Sequence, residues 1–495
     1  MESLGGFLHG FAIAFQPVNI FYCFLGCLMG TLVGVLPGIG PAATIALLLP
    51  TTYHLDPVGS IIMLAGICYG AQYGGSTTSI LVNIPGEPSS IITCLDGYQM
   101  ARKGRAGIAL GVSAIGSFVA GSLSVFGLVF FAPPLARIGL KFGPPEYFSL
   151  IVMSLTIVTY LARKSMIKAL IMAGLGLFLS TVGMDPMTSV IRFSFGIKVL
   201  YDGFGIAPVV MGLFGVCEVL KNVGVLKKQE VYTGKIKGYF GARDDWKRSS
   251  APILRGTLVG FFLGIIPGLG NIVPTMVSYV VEKRLSKHPE KFGTGEIEGV
   301  AAPEACNNAA MGGQFIPLMS LGIPSSATAA LLLAALMIFG LQPGPLLIKQ
   351  SPDLFWGVIA SMYIGNVMLV VLNLPLIPMW VAILRVPYAY LFPLILLFCL
   401  VGVYSLSNNV AEIGIMIFFG IIGLLLEKFG FELTPLILAF ILGPLLEPNL
   451  KRSLLMSDGS FSIFFTRPIA ASCMAVACVG LILPLIKRRQ GVGYE

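Results

Sequence analysis

Residues 3–55 contain no Asp, Glu, Lys or Arg, and neither do residues 57–86, 106–136, 256–281, 305–348, 354–384, 386–411 and 468–486. A water-facing surface needs charged side chains, and runs of this length leave no place for them. A helix crossing the hydrocarbon core of a bilayer needs roughly 20 apolar residues, so most of these runs can span it. Shorter apolar runs at 147–162, 169–184, 203–217, 413–426 and 433–446 suit half-crossings or helices extended by snorkelling Lys and Arg. Charged residues make up 11% of the 495 and hydrophobic residues 56%, whereas a soluble domain has about 25% charged residues. Soluble globular and disordered chains are both excluded. The expected fold is an all-α polytopic integral membrane protein with about 10–14 membrane segments.

The charge that exists is concentrated. Residues 221–255 hold nine Lys or Arg against three acids and supply +6 of the net +9. Basic residues in short loops stay in the cytoplasm, which places this segment, the Arg102-Lys103-Arg105 loop and the Lys487-Arg488-Arg489 tail inside and the N-terminus, which has Glu2 but no Lys or Arg, outside. The base rate for inside-positive loops makes nucleic-acid binding a poor reading of this charge. The N-terminus has no basic region, so no cleavable secretory signal is expected. The nine Cys form no zinc or disulfide pattern, and His9, His54 and His288 are too scattered to form a metal cluster.

The chain also resembles itself. Gly34-Val35-Leu36-Pro37-Gly38-Ile39-Gly40 returns as Gly264-Ile265-Ile266-Pro267-Gly268-Leu269-Gly270, offset by 230. Gly74-Gly75 ahead of Ile84-Pro85 returns as Gly312-Gly313 ahead of Ile323-Pro324, offset by 238 or 239. The implied organisation is a first transmembrane repeat (1–220), a basic cytoplasmic linker (221–255), a second repeat (256–465), and a C-terminal transmembrane helix with a basic tail (466–495). With the N-terminus outside and the linker inside, the first half crosses an odd number of times and the repeats are inverted. Paired broken helices in inverted repeats mark secondary transporters.

The breaks carry the candidate site. Proline and glycine interrupt a helix at 37–40 and 267–270, and irregular backbone at membrane depth must be buried or line a cavity. A half-helix beginning there presents free N–H groups and its positive dipole end to an anion. The expected anion-binding residues are Gly38, Gly40, Ser76, Thr77, Thr78, Ser79 and Asn83 from one repeat. Gly268, Gly270, Asn271, Asn307, Asn308, Gly312, Gly313, Gln314, Ser325 and Ser326 come from the other. Ser76 to Ser79 read as a re-entrant tip; bonding between helices by Ser and Thr is the plainer alternative. Glu87 and Glu304 are candidates for a coupling cation or proton, with a water-facing acid at a segment end as the alternative. The other acids lie near segment ends. Gly38-x-Gly40 lacks the context of a dinucleotide fingerprint, and no phosphate-binding Gly-x4-Gly-Lys motif exists, so the chain is not expected to pump with ATP. A passive anion channel would need fixed basic rings in its pore, and a membrane-embedded enzyme would need a catalytic constellation; neither is visible.

Three strings extend this reading: GTLVGVLPGIGPAATIALLLP (30–50), YGGSTTSILVNIPGEPSS (73–90) and PEACNNAAMGGQFIPLMSLGIPSSATAALLLAAL (303–336). They resemble the large membrane subunit of the tripartite tricarboxylate transporter (TctA) family, over essentially the whole chain. The resemblance implies a multi-pass permease of the bacterial inner membrane, not an enzyme and without a cofactor. It implies two partners, a small membrane subunit and a periplasmic solute-binding protein. It further implies import of citrate or another di- or tricarboxylate by symport with Na⁺ or H⁺. Similarity to other carboxylate carriers favours an elevator motion.

Overall fold

Helices dominate the computed structural model, which describes residues 2–36, 40–53, 55–160, 162, 165–222, 236, 238–384 and 388–489. In the first half, α1 (Pro17–Val35) is followed by the short α2 (Pro41–Thr52), the long α3 (Pro57–Val82), the short α4 (Ile91–Met100) and α5 (Ala106–Gly139). In the second half, α6 (Arg243–Ile265) is followed by α7 (Ile272–Leu285), α8 (Glu298–Leu321), α9 (Ala327–Ile338) and α10 (Pro352–Asn373). Helix α6 starts inside the expected linker, with Asp245 accepting the Ala242 N–H at 2.9 Å near its start. Most of the remaining linker, 223–235 and 237, lies outside the described residues.

Glycine sets the centre of the fold. Gly26, Gly30 and Gly34 form a stripe on α1, and a Cβ at each would sit 2.2, 2.4 and 2.2 Å from the carbonyl oxygens of Met63, Ile67 and Ala71 on α3. Only hydrogen fits, so the two backbones touch. The second half repeats this contact. Gly256, Gly260 and Gly264 on α6 face the carbonyls of Ala302, Cys306 and Ala310 on α8 at 2.2, 2.2 and 2.3 Å. The glycines are offset by 230 and their partners by 239. Gly74 against Thr31 and Gly313 against Phe261 keep the same offsets from the opposite side.

Local chemistry places the ends. Asp56 caps α3 by accepting the Val58 N–H at 3.0 Å, and Pro41 and Pro57 occupy first-turn positions where no amide is needed. Helix α3 stops at Asn83, which is left-handed with φ 58°, and α8 stops at Gly322 with φ 71°. These two terminators are again 239 apart.

Burial is inverted relative to a soluble protein. Ser76, Thr78, Glu304 and Asn307 are buried, while Phe126, Leu258 and Val371 are more than half exposed on the outer faces. Such a surface suits lipid. Among the described residues five helical stretches are long and apolar enough to cross a bilayer: Pro17–Val35, Pro88–Gly139, Pro352–Asn373, Val410–Lys428 and Leu433–Met456. Helices α3 and α8 are long but more polar, because they carry the interior hydroxyls and amides. Helix α11 (Leu433–Met456) packs on Met166–Ser180 and Pro144–Tyr160, and Pro468–Arg489 also lies against Pro144–Tyr160.

One element departs from the all-helical expectation. Gly183–Met184 and Ile191–Arg192 form a two-residue antiparallel ladder, β1 and β2. Gly183 at φ 101° and Ser189 at φ 58° permit the reversal, and Asp185 accepts the Met187 N–H at 3.1 Å inside it.

Candidate functional site

The breaks lie next to the glycine-packed pairs. Helix α1 ends at Val35, and Gly40 is the N-terminal cap of α2, with open space where its Cβ would point. Gly38 lies outside the described residues. In the second half, Pro267 stops α6, and Gly268 and Gly270 turn with φ 88° and 58°. Both glycine N–H groups donate to the Ser325 carbonyl at 3.1 Å. The expectation of free amides at these two glycines is therefore corrected: in this conformation they tie one break to the loop before α9.

A hydrogen-bond chain runs from that loop into the first half. Ser326 caps α9, accepting the Ala329 N–H at 3.1 Å and donating to Gln314 Oε1 at 2.6 Å. Gln314 donates to Asn271 Oδ1. Asn271 donates to Asn307 Oδ1 at 2.9 Å. Asn307 donates to Glu87 Oε1 at 2.6 Å, which also accepts the Ser89 hydroxyl at 2.6 Å. The chain thus links the starts of α7 and α9 to the loop before α4. Beside it, the buried Ser325 hydroxyl has no partner among the described residues.

Ser76, Thr77, Thr78 and Ser79 are part of helix α3 and do not form a re-entrant tip. Apolar residues on both sides keep the helix going, and Asn83 ends it only later. Thr77 bonds back to the Tyr73 carbonyl at 3.4 Å. Thr78 reaches the Val35 carbonyl at 2.7 Å and so satisfies the end of α1. Ser79 meets Ser90 at 2.9 Å. Asn83 supplies the left-handed terminator, and Gly312 and Gly313 make room for Ser124 and the Phe261 carbonyl.

Ser76 points elsewhere. It donates to Glu304 Oε2 at 2.5 Å, and Ser113 on α5 donates to the same oxygen at 2.7 Å. Thr93 on α4 donates to Oε1. Glu304 is 1% exposed and is held by hydroxyls from three helices. Asn308, one turn along α8, bonds Ser117 at 2.7 Å. The structure thus brings Glu87, Glu304, Asn271, Asn307, Gln314 and Ser326 together with two helix starts in one buried polar interior.

Several residues of this interior escaped the sequence reading. Ser113 and Ser117 match Glu304 and Asn308 as facing pairs spaced by one helical turn, and that shared spacing was the available signal. Asp96 had none. It is completely buried, accepts the N–H groups of Gly293, Gly295 and Glu296 at 2.8–3.0 Å and the Tyr279 hydroxyl at 2.8 Å, and fastens α4 to the segment entering α8.

This is a helical multi-pass membrane protein with interrupted helices around a polar, cation-poor centre. The chain belongs to the tripartite tricarboxylate transporter TctA family, whose model matches residues 20–438. It is 50% identical over 493 residues to an Agrobacterium vitis protein described as an uncharacterized 52.8 kDa protein in the TAR-I ttuC' 3' region, covering 99% of this chain and 98% of the relative. A second Agrobacterium vitis protein, described as uncharacterized in the TAR-II ttuC' 3' region, is 49% identical over 227 residues, covering 46% of this chain and 94% of the relative. No solved structure matches the chain. Membership makes the protein a membrane component of a tripartite transporter.

Proposed function

We propose that this chain is the permease that moves citrate or another di- or tricarboxylate into the cell, driven by an ion gradient. It would work with a small membrane subunit and a periplasmic solute-binding protein in a bacterial inner membrane. The observation that carries this reading is the meeting of the α7 and α9 N-termini with the chain Glu87–Asn307–Asn271–Gln314–Ser326. Helix N-termini and neutral N–H and O–H donors suit a carboxylate. The Ser325 hydroxyl, buried without a partner among the described residues, lies next to Ser326 of this hydrogen-bond chain. A coupling cation at Glu87 or Glu304 would offset the substrate's charge where the dielectric is low.

The duplicated glycine contacts support a repeat, and the charge map supports its inversion, with the N-terminus periplasmic and the basic segments cytoplasmic. The two halves would move a shared site between faces in an elevator-type motion. The test is uptake of labelled citrate, succinate and malate into proteoliposomes containing both partners, with and without an ion gradient. Accumulation against a concentration gradient supports the reading. Flux that merely equilibrates would make the protein a passive channel, and no flux of any carboxylate would sink the reading.

A further inference from the structure

We propose that the driving ion is a proton carried by Glu304, which it reaches through a small cavity that Tyr73, Thr77, Ser113 and Asn373 line on one side. This rests on the transport reading above and names its ion and its route. Four observations carry it.

First, Glu304 has no Lys, Arg or His partner among the described residues; its neighbours are the hydroxyls of Ser76, Thr93 and Ser113. The titratable groups that face it are Tyr73 on α3, Cys94 on α4 and Glu87 in the loop before α4; α5 offers only Ser113 and Ser117. A buried carboxylate without a counter-cation lowers its energy by taking up a proton.

Second, the site can satisfy both protonation states. The single Ser76 hydroxyl hydrogen has two acceptors, Glu304 Oε2 at 2.5 Å and the Gln72 carbonyl at 3.0 Å. With Glu304 ionised, the hydrogen points to the carboxylate. With Glu304 protonated, the new O–H donates to Ser76 Oγ, and Ser76 turns its own hydrogen to Gln72. No donor is stranded in either state.

Third, the Ser76 and Ser113 hydroxyls donate directly to the carboxylate at 2.5 and 2.7 Å, so in this conformation hydroxyl hydrogens face Oε2 where an added proton would sit.

Fourth, a cavity adjoins this cluster. Tyr73, Thr77, Ser113 and Asn373 line it together with the apolar Leu110, Ala114, Leu374 and Ile377. The Tyr73 hydroxyl and Asn373 Oδ1 are buried without a partner among the described residues. Orphaned buried polar atoms around a cavity call for water. Ser113 lies in the cavity wall and on the carboxylate at once, so it relays the proton. Its O–H proton passes to Glu304 Oε2 while its oxygen takes one from a hydronium that the acid side delivers to the cavity, which is left as neutral water. One O–H bond breaks and one forms at Ser113, and the carboxylate gains one proton. Glu87 does not line this cavity, and its Oε1 is held by the Asn307 amide and the Ser89 hydroxyl.

The test uses the complete complex in proteoliposomes with labelled citrate, succinate and malate. We expect an acid-outside gradient in Na⁺-free buffer to raise uptake several-fold, a Na⁺ gradient to add nothing, and a weakly buffered external medium to turn alkaline as substrate enters. Glu304→Gln should remove both the stimulation and the alkalinisation and leave exchange of labelled for unlabelled substrate indifferent to pH. Asn373→Leu, which fills the cavity, should slow gradient-driven uptake several-fold more than exchange. Ser113→Ala should do the same and stands in if Glu304→Gln fails to fold. Undiminished alkalinisation in a folded Glu304→Gln protein overturns the proposal, as does uptake driven by Na⁺ alone. Substrate entry without proton movement would leave the transport reading standing, whereas no entry of any substrate would remove both.

Discussion

A hydrogen atom where other residues carry a side chain decides how closely the central helices approach. A Cβ at Gly30 or Gly260 would fall 2.4 or 2.2 Å from a backbone carbonyl, which has no flexible end to move aside. Gly30→Ala and Gly260→Ala should each destabilise the protein by about 1–3 kcal/mol, measured as thermal unfolding in detergent. Gly174→Ala, which meets nothing within 4 Å, should not. Asn83 is the second residue-scale case. Its left-handed backbone predicts that Asn83→Gly is tolerated and that Asn83→Val costs about 1–2 kcal/mol, read in the same assay. The sequence displayed these glycines and their offsets openly. It did not say which serve packing and which serve a ligand: Gly312 and Gly313 look like Gly268 and Gly270 on paper, yet the first two pack helices and the second two bond a loop.

At the scale of elements, the helix interruptions were legible because proline and glycine force them. The placement of Ser76 to Ser79 was not, since hydroxyls bonded back along a helix and hydroxyls at a loop tip leave the same letters. The β1–β2 hairpin was invisible because a two-residue ladder leaves no period to read. It is fastened to α11 by Lys451 on Asp185 at 2.5 Å and by Arg192 on Glu447 at 2.5 Å. The Lys451 ammonium, helped by Thr188, holds the Asp185 carboxyl well below the usual carboxylate range. A depressed value stabilises the fold above the unfolded value and loses that effect as pH falls toward the folded one. Protection from hydrogen exchange across 183–201, relative to the intrinsic rate at each pH, should hold from neutrality to about pH 4 and fall below it. Lys451→Met should exchange faster at neutral pH and respond less to acid.

At the scale of the molecule, two recurring motifs and their offsets were readable, whereas contacts between the halves were not, because they join positions hundreds of residues apart. Asp96 on Tyr279 and the 293–296 amides, Glu304 on Ser76 and Ser113, and Asn307 on Glu87 all bridge first half to second. Asp96→Asn cannot accept the same set of donors. It should loosen the segment before α8, seen as faster exchange at 293–296, and slow substrate exchange across the membrane. Unaltered rates in both measurements would show that this tie is dispensable.

The facing notches of α1 against α3 and α6 against α8 also limit how the machine can deform. Sliding either pair by one residue would drive a methyl or larger group into a carbonyl, so each pair has a single register and travels as a girder. Any stroke must then be absorbed outside these pairs, at turns such as 266–271, and spin labels placed along one girder should keep their spacing if substrate is added.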